Sequence, residues 1–180
     1  MLQELCTCSQ TYVKYSHFIN PYPDNSESER SLTQLQTFIL IPVIDRFGAE
    51  NFKLTYGFCS KDLLKFLNRE KAKSTVLGET PKSNFSRPRI CIKVDQHAAH
   101  ERNAKGNYYC KHLGAACDFK IAGVDSTKVI GFLRTLNYDS IYYYGKDRPV
   151  HVSWSLTPRR KVWEFTAQNT PKPYSNYYWV

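Results

Sequence analysis

Three of the chain's five histidines, His97, His100 and His112, fall within a 16-residue span, and a fourth, His151, is set in the apolar run Val150-His151-Val152. Neutral imidazole and carboxylate suit a catalytic zinc site with three protein ligands and one open position. The segment Leu113-Gly114-Ala115-Ala116-Cys117-Asp118-Phe119-Lys120-Ile121 supplies a carboxylate from within an apolar strand. An ionised Asp there is costly unless a cation or strong hydrogen bonds compensate it. His151 in a strand projects on the face opposite its two valines. Asp118 and His151 are therefore expected to share a metal ion or, without one, a buried Asp–His hydrogen bond. A histidine in a polar loop is ordinarily a solvated side chain, so the residues alone leave the third ligand open among His97, His100 and His112.

The elements that must position these residues follow from periodicity and turn chemistry. Asn20-Pro21-Tyr22-Pro23-Asp24-Asn25 separates an N-terminal extension, residues 1–25, from the body. Residues 27–47 carry Leu32, Leu35, Phe38, Ile39, Ile41 and Val43 at helical spacing, with Ser26 or Ser28 as cap and a kink at Pro42. Phe52, Leu54, Tyr56 and Phe58 alternate as a half-buried strand, and Ser60 or Asp62 caps a short helix after it. Residues 71–89 read as a mobile loop, 89–94 as a strand, 95–111 as a polar connection and 113–122 as a second central strand. A helix over 126–136 capped by Ser126 precedes a hairpin of 140–144 with 150–154, turning at Gly145-Lys146-Asp147-Arg148. The fold class expected is α+β: a single domain over residues 26–156 with a mostly antiparallel central sheet flanked by helices. The aromatic tail, 157–180, should add a strand at 162–165 and pack on the domain or on a partner.

Composition sets the outer limits. At 180 residues with 42% apolar content the chain can bury a substantial core, and no apolar run is long enough to span a bilayer. Membrane insertion is not expected. The start lacks a signal-peptide pattern, which points to a cytoplasmic protein. Six cysteines in such a chain are expected as thiols. Twenty-five Lys and Arg against sixteen Asp and Glu give +9, which favours anionic partners. The basic 61–93 segment is the densest stretch, a solvated face or a contact for nucleotide or nucleic acid.

Gly114-Ala115-Ala116-Cys117-Asp118 and Arg148-Pro149-Val150-His151-Val152-Ser153-Trp154 resemble the second and third metal-ligand segments of the D-alanyl-D-alanine carboxypeptidase and Hedgehog group of zinc peptidases. The resemblance runs from about residue 28 to 155 and includes Ile41–Gly48 and Leu54–Ser60. It implies the Hedgehog/DD-peptidase zinc fold, with Asp118 and His151 as ligands. Asp95-Gln96-His97 stands in for the group's Ser-x-His segment, followed by an insertion of residues 98–111; His97 is then the first ligand, with His100 and His112 as alternatives. The resemblance also implies substrate contacts around Cys59, Ser60, Tyr144 and Arg148. Two departures stand out: the group's substrate-holding arginine falls on Cys59, and its glutamate base falls on Arg148. Asp147, or Glu101 in the inserted loop, is left as the acidic residue to accept a proton.

Two functions are consistent with these features. One is a zinc-dependent hydrolase, a peptidase acting on peptidoglycan-type peptides, with phage-type release to reach such a substrate. The other is a binding module on the same scaffold with altered chemistry, taking an anionic ligand such as a nucleotide or nucleic acid through aromatic stacking and basic side chains.

Overall fold

The computed structural model describes residues 1–67, 96–165 and 170–174. The expected loop at 71–89, the strand at 89–94, most of the basic 61–93 segment and the last six residues lie outside the described residues. Among the described residues the architecture is α+β, with a six-stranded open sheet in the order β1-β2-β4-β3-β5-β6. The strands are β1 (Phe52–Tyr56), β2 (Ala115–Ile121), β3 (Ser140–Tyr143), β4 (Val150–Trp154), β5 (Lys161–Phe165) and β6 (Pro171–Pro173). Every pairing is antiparallel except β3 with β5, so the sheet is mixed.

One face of the sheet carries the core. Cys117, Phe119 and Ile121 of β2, Ile141 of β3 and Val150 and Val152 of β4 are buried there. Among the described residues the α-helices are α1 (Leu2–Thr7), α2 (Gln10–Tyr15), α3 (Ser26–Leu35), α4 (Ile41–Phe47), α5 (61–67) and α6 (Ser126–Leu133). The sheet residues pack on α3, α4 and α6 through Leu32, Leu35, Val43, Val129, Ile130 and Leu133. Period-two alternation then sends Asp118 and His151 to the other face.

Several local expectations change. Asn25, not Ser26 or Ser28, caps α3, accepting from the Ser28 amide at 2.8 Å. Between α3 and α4, residues Gln36–Leu40 form one π-type turn directly before Pro42. Proline has no N–H to continue the ladder, and the wider turn absorbs that loss. Asp125 caps α6 through the Thr127 amide, and Ser126 Oγ instead donates to the Arg148 carbonyl at 2.7 Å, tying the hairpin turn to the helix. Ser60 does cap the helix at 61–67, accepting from the Leu63 amide at 3.2 Å.

The N-terminal segment is part of this packing. Helix α1 (Leu2–Thr7) buries Leu5 and Cys6 in the main core, and the Phe58 amide donates to the Leu5 carbonyl at 2.7 Å. Gly57 lies so close to Leu5 that a Cβ would overlap its carbonyl. Gly57→Ala is expected to lower unfolding stability by about 1–3 kcal/mol through overpacking against this backbone, measured by urea denaturation; an unchanged midpoint would show that α1 can move away at no cost.

Candidate metal centre

His97, Asp118 and His151 converge on the sheet face opposite the core, with one ligand atom from each lying within 4.8 Å of the others. Asp118 and His151 are cross-strand partners on β2 and β4. His97 comes from a single 3-10 turn, Gln96–Ala98, lying over β2. His151 Nδ1 is 2.9 Å and His97 Nε2 3.3 Å from the same Asp118 oxygen. For bonds of about 2.0–2.1 Å the edge of a zinc tetrahedron is ~3.3 Å, close to both separations. The two imidazoles are almost fully buried and Asp118 is 26% exposed, so the cluster opens to solvent on the carboxylate side.

The backbone fixes one nitrogen of His97 and leaves the other to face the carboxylate. Its Nδ1 lies 2.7 Å from the Gly57 carbonyl, which can only accept, so Nδ1 carries the proton. The Nε2 facing Asp118 is then available either to a second proton, which makes an imidazolium bonded to the carboxylate, or to a metal ion. A backbone carbonyl fixing the non-ligating nitrogen is the usual support for a metal-bound histidine. His151 Nε2 is buried with no hydrogen-bond partner among the described residues, while Tyr142 stacks on the ring at 4.2 Å and 12°. Burial would raise the Asp118 carboxyl, but the charges and hydrogen bonds of His97 and His151 outweigh it and hold it well below the usual carboxylate range.

A bulge completes the surround. The β1–β2 register shifts between Leu54 and Tyr56, so that Leu54 faces Phe119 and Tyr56 faces Asp118. Strict alternation would leave Tyr56 on the core face with Leu54; the bulge turns it to the metal face. Its ring meets His97 edge-on at 4.7 Å. The Cys59 amide donates to the His97 carbonyl at 2.9 Å, so the chain on both sides of Gly57 and Cys59 grips the ligand's own turn.

A second buried polar cluster lies just outside the strands, in the connections that lead into β2 and β3 and out of β4. Asp139, fully buried, accepts from the Arg159 amide at 2.7 Å, from Arg159 Nη2 at 2.6 Å and pairs with His112 Nε2 at 2.9 Å. Arg159 Nη2 also reaches Gln96 Oε1 at 3.3 Å, next to His97. Burial would raise the Asp139 carboxyl, but Arg159, aided by His112, holds it below its ordinary value.

The other residues expected at the site are placed elsewhere or otherwise engaged. His112 is on Asp139, and His100 Nε2 is 2.8 Å from Ser31 Oγ; neither joins the triad. Glu101 is fully buried and accepts from Asn25 Nδ2, Ser28 Oγ and the Lys61 amide. Its carboxylate thus holds together three segments. Asp147 and Arg148 are exposed in the hairpin turn, and no hydrogen bond or ion pair among the described residues joins Asp147 to the triad. Cys59 is buried, and Ser60 Oγ donates to the Asn20 carbonyl while capping its helix. Tyr144 packs on Phe165 at 4.8 Å and, edge-on, against Tyr142 at 6.5 Å. Tyr56, Gly57 and Tyr142 were not singled out from the sequence for the site. The hairpin register alone would have pointed to Tyr142, which pairs with His151.

No known protein family, curated protein or solved structure matches the chain.

Asp139→Asn is expected to lower stability at neutral pH by about 2–4 kcal/mol, because Arg159 and His112 lose their buried counter-charge. A depressed carboxyl contributes stability above its unfolded value of about 3.9 and loses it as the pH falls toward the folded value. The gap between variant and parent should therefore narrow below about pH 4; a gap independent of pH between 3 and 7, followed by chemical denaturation, would assign the loss to packing instead. For Glu101→Ala, the expectation is a loss of about 2–4 kcal/mol from unpaired buried donors with metal content retained, checked by denaturation and elemental analysis. Loss of metal without loss of stability would give Glu101 a role at the centre.

Proposed function

We propose that the chain is a zinc-dependent hydrolase, a peptidase acting on peptidoglycan-type peptides, with His97, Asp118 and His151 as the metal ligands. The observation that carries this reading is the convergence of His97 Nε2 and His151 Nδ1 on one Asp118 oxygen, at 3.3 and 2.9 Å, with His97 Nδ1 held by the Gly57 carbonyl. Two imidazoles and one carboxylate with an open side are the donor set of a catalytic zinc centre. The Gly114–Asp118 and Arg148–Trp154 segments support the peptidase part by their resemblance to the zinc peptidases named above.

Bound zinc would supply Lewis acidity and lower the pKa of its water toward about 7. The chain's own part is to hold that centre. Gly57 fixes the His97 tautomer, Tyr142 covers His151, and the exposed side of Asp118 leaves room for a substrate carbonyl. Asp147 stays the carboxylate nearest His151 in sequence for taking up a proton, with movement of the hairpin turn needed to bring it in.

A binding module on the same scaffold is the second reading. It is favoured by the engagement of Glu101 with Asn25, Ser28 and Lys61, which leaves that carboxylate unfit as a base. Elemental analysis after purification without chelators should give about one zinc per chain, and His151→Ala should remove the metal and lower stability together, since binding free energy is also folding free energy. Less than a tenth of a metal per chain would retire the centre. A zinc-loaded protein that cleaves no peptide would move the assignment to the binding module.

A further inference from the structure

Gln96 precedes the ligand His97 and is itself almost completely buried. A primary amide at such depth is costly unless its two ends are hydrogen-bonded. Both are: Oε1 accepts from Arg159 Nη2 at 3.3 Å, and Nε2 donates to the Leu113 carbonyl at 3.4 Å. The same carbonyl accepts from Ser155 Oγ at 2.8 Å. Leu113 and Gly114 lead directly into β2, which carries Asp118, and Ser155 leaves β4, which carries His151. The Gln96 side chain therefore stands where the segments bearing all three ligands meet. Packing there is close enough to dictate a neighbour's type, because a Cβ on Gly114 would come within 2.6 Å of Gln96 Nε2 and 2.1 Å of the Trp154 carbonyl oxygen.

Two bonds tie His97 itself to the far end of β1, through the Gly57 carbonyl and the Cys59 amide. Neither reaches β2 or β4, the strands that supply the other two ligands. Gln96 makes that link from the same three-residue turn. Arg159 stiffens it, since its guanidinium is locked on the fully buried Asp139 through Nε at 3.2 Å and Nη2 at 2.6 Å. We infer, resting on the metal reading above, that Gln96 is a positioning residue of the centre. Clamped between Arg159 and the Leu113 carbonyl, it sets the place of His97 Nε2 relative to Asp118 and His151, and the Asp139–Arg159 pair serves the metal through it. Outer partners tune a metal by orienting its ligands; here the orientation comes through the backbone of the preceding residue.

The test compares the full chain with Gln96→Met, which keeps the length of the side chain and removes both bonds. Zinc affinity is measured by competition with a chromogenic chelator, at a temperature where circular dichroism shows each metal-free chain folded. Coordination geometry is read from the d–d absorption of the cobalt(II)-loaded protein. Gln96→Met should bind zinc about 10–100-fold more weakly, the range for loss of an outer partner, with a weaker and shifted cobalt band. Ser155→Ala removes the other bond to the Leu113 carbonyl and should lower the melting temperature while keeping affinity within about threefold of the parent. Should Gln96→Met not fold, Gln96→Asn, whose amide falls short by one methylene, should show the same loss. A glutamine variant that melts lower but holds zinc within about threefold, with its cobalt band unchanged, overturns the inference and makes Gln96 a purely structural amide. Equal weakening in Ser155→Ala overturns it as well, since any damage to the junction would then suffice. If the parent protein takes up no zinc, the metal reading itself falls, and the positioning role with it.

Discussion

The hydrogen bond from His97 Nδ1 to the Gly57 carbonyl is the constraint around which this molecule is arranged. It ties a turn that enters from a long connection to the end of the edge strand, and it decides which nitrogen faces Asp118. Gly57 can serve this purpose only because it has no side chain. Its Cα lies against Leu5, so the glycine joins α1, the end of β1 and the ligand turn at one point. The backbone on either side repeats the pattern: the Phe58 amide is bound to Leu5 and the Cys59 amide to the His97 carbonyl. A carbonyl acceptor cannot reverse roles, so the proton it holds on His97 Nδ1 does not depend on a rotatable hydroxyl or a titrating partner.

The two faces of the sheet divide the work. The helical face buries the aliphatic residues that stabilise the fold, at roughly 1.5–3 kcal/mol for each large side chain. The opposite face holds Asp118 and His151, and two further buried carboxylates, Asp139 and Glu101, draw their partners from several elements. Asp139 binds the β4–β5 connection back to the start of β3 through Arg159, and through Gln96 that same arginine reaches the turn that carries His97. Glu101 performs a similar task at the start of α3 and of the helix at 61–67. Both carboxylates lie where ionised groups are expensive, and both are held by donors fixed in the backbone or in rigid side chains.

How much of this was legible in the sequence depended on the range of the interaction that decided it. Asp118 and His151 stood out because a charged or polar residue within an apolar strand violates a local pattern. The hairpin and the helix at α6 were legible for the same reason, since their signals lie within a few residues. The cap of α3 was not: Asn25, Ser26 and Ser28 are all competent, and the choice is fixed by Glu101, which binds Asn25 and Ser28 from over seventy residues away. Glu101 itself was read as a proton acceptor because its sequence neighbourhood is polar and its buried partners are all remote. The bulge at Tyr56 was hidden as well. Phe52 to Phe58 alternates without a break, and the irregularity exists only in the pairing with β2. The parallel entry of β5 follows from the crossover held by Arg159, a contact no periodicity encodes.

The far edge of the sheet has a consequence of its own. Strand β6 is three residues long and has a proline at each end, Pro171 and Pro173. Proline offers no amide hydrogen, so an incoming strand would find few donors along that border. The sheet is open in topology, yet at this edge it presents little template for growth. The protein should thus resist fibril-like association through β6, and colloidal behaviour at high concentration would be governed by its charged surface.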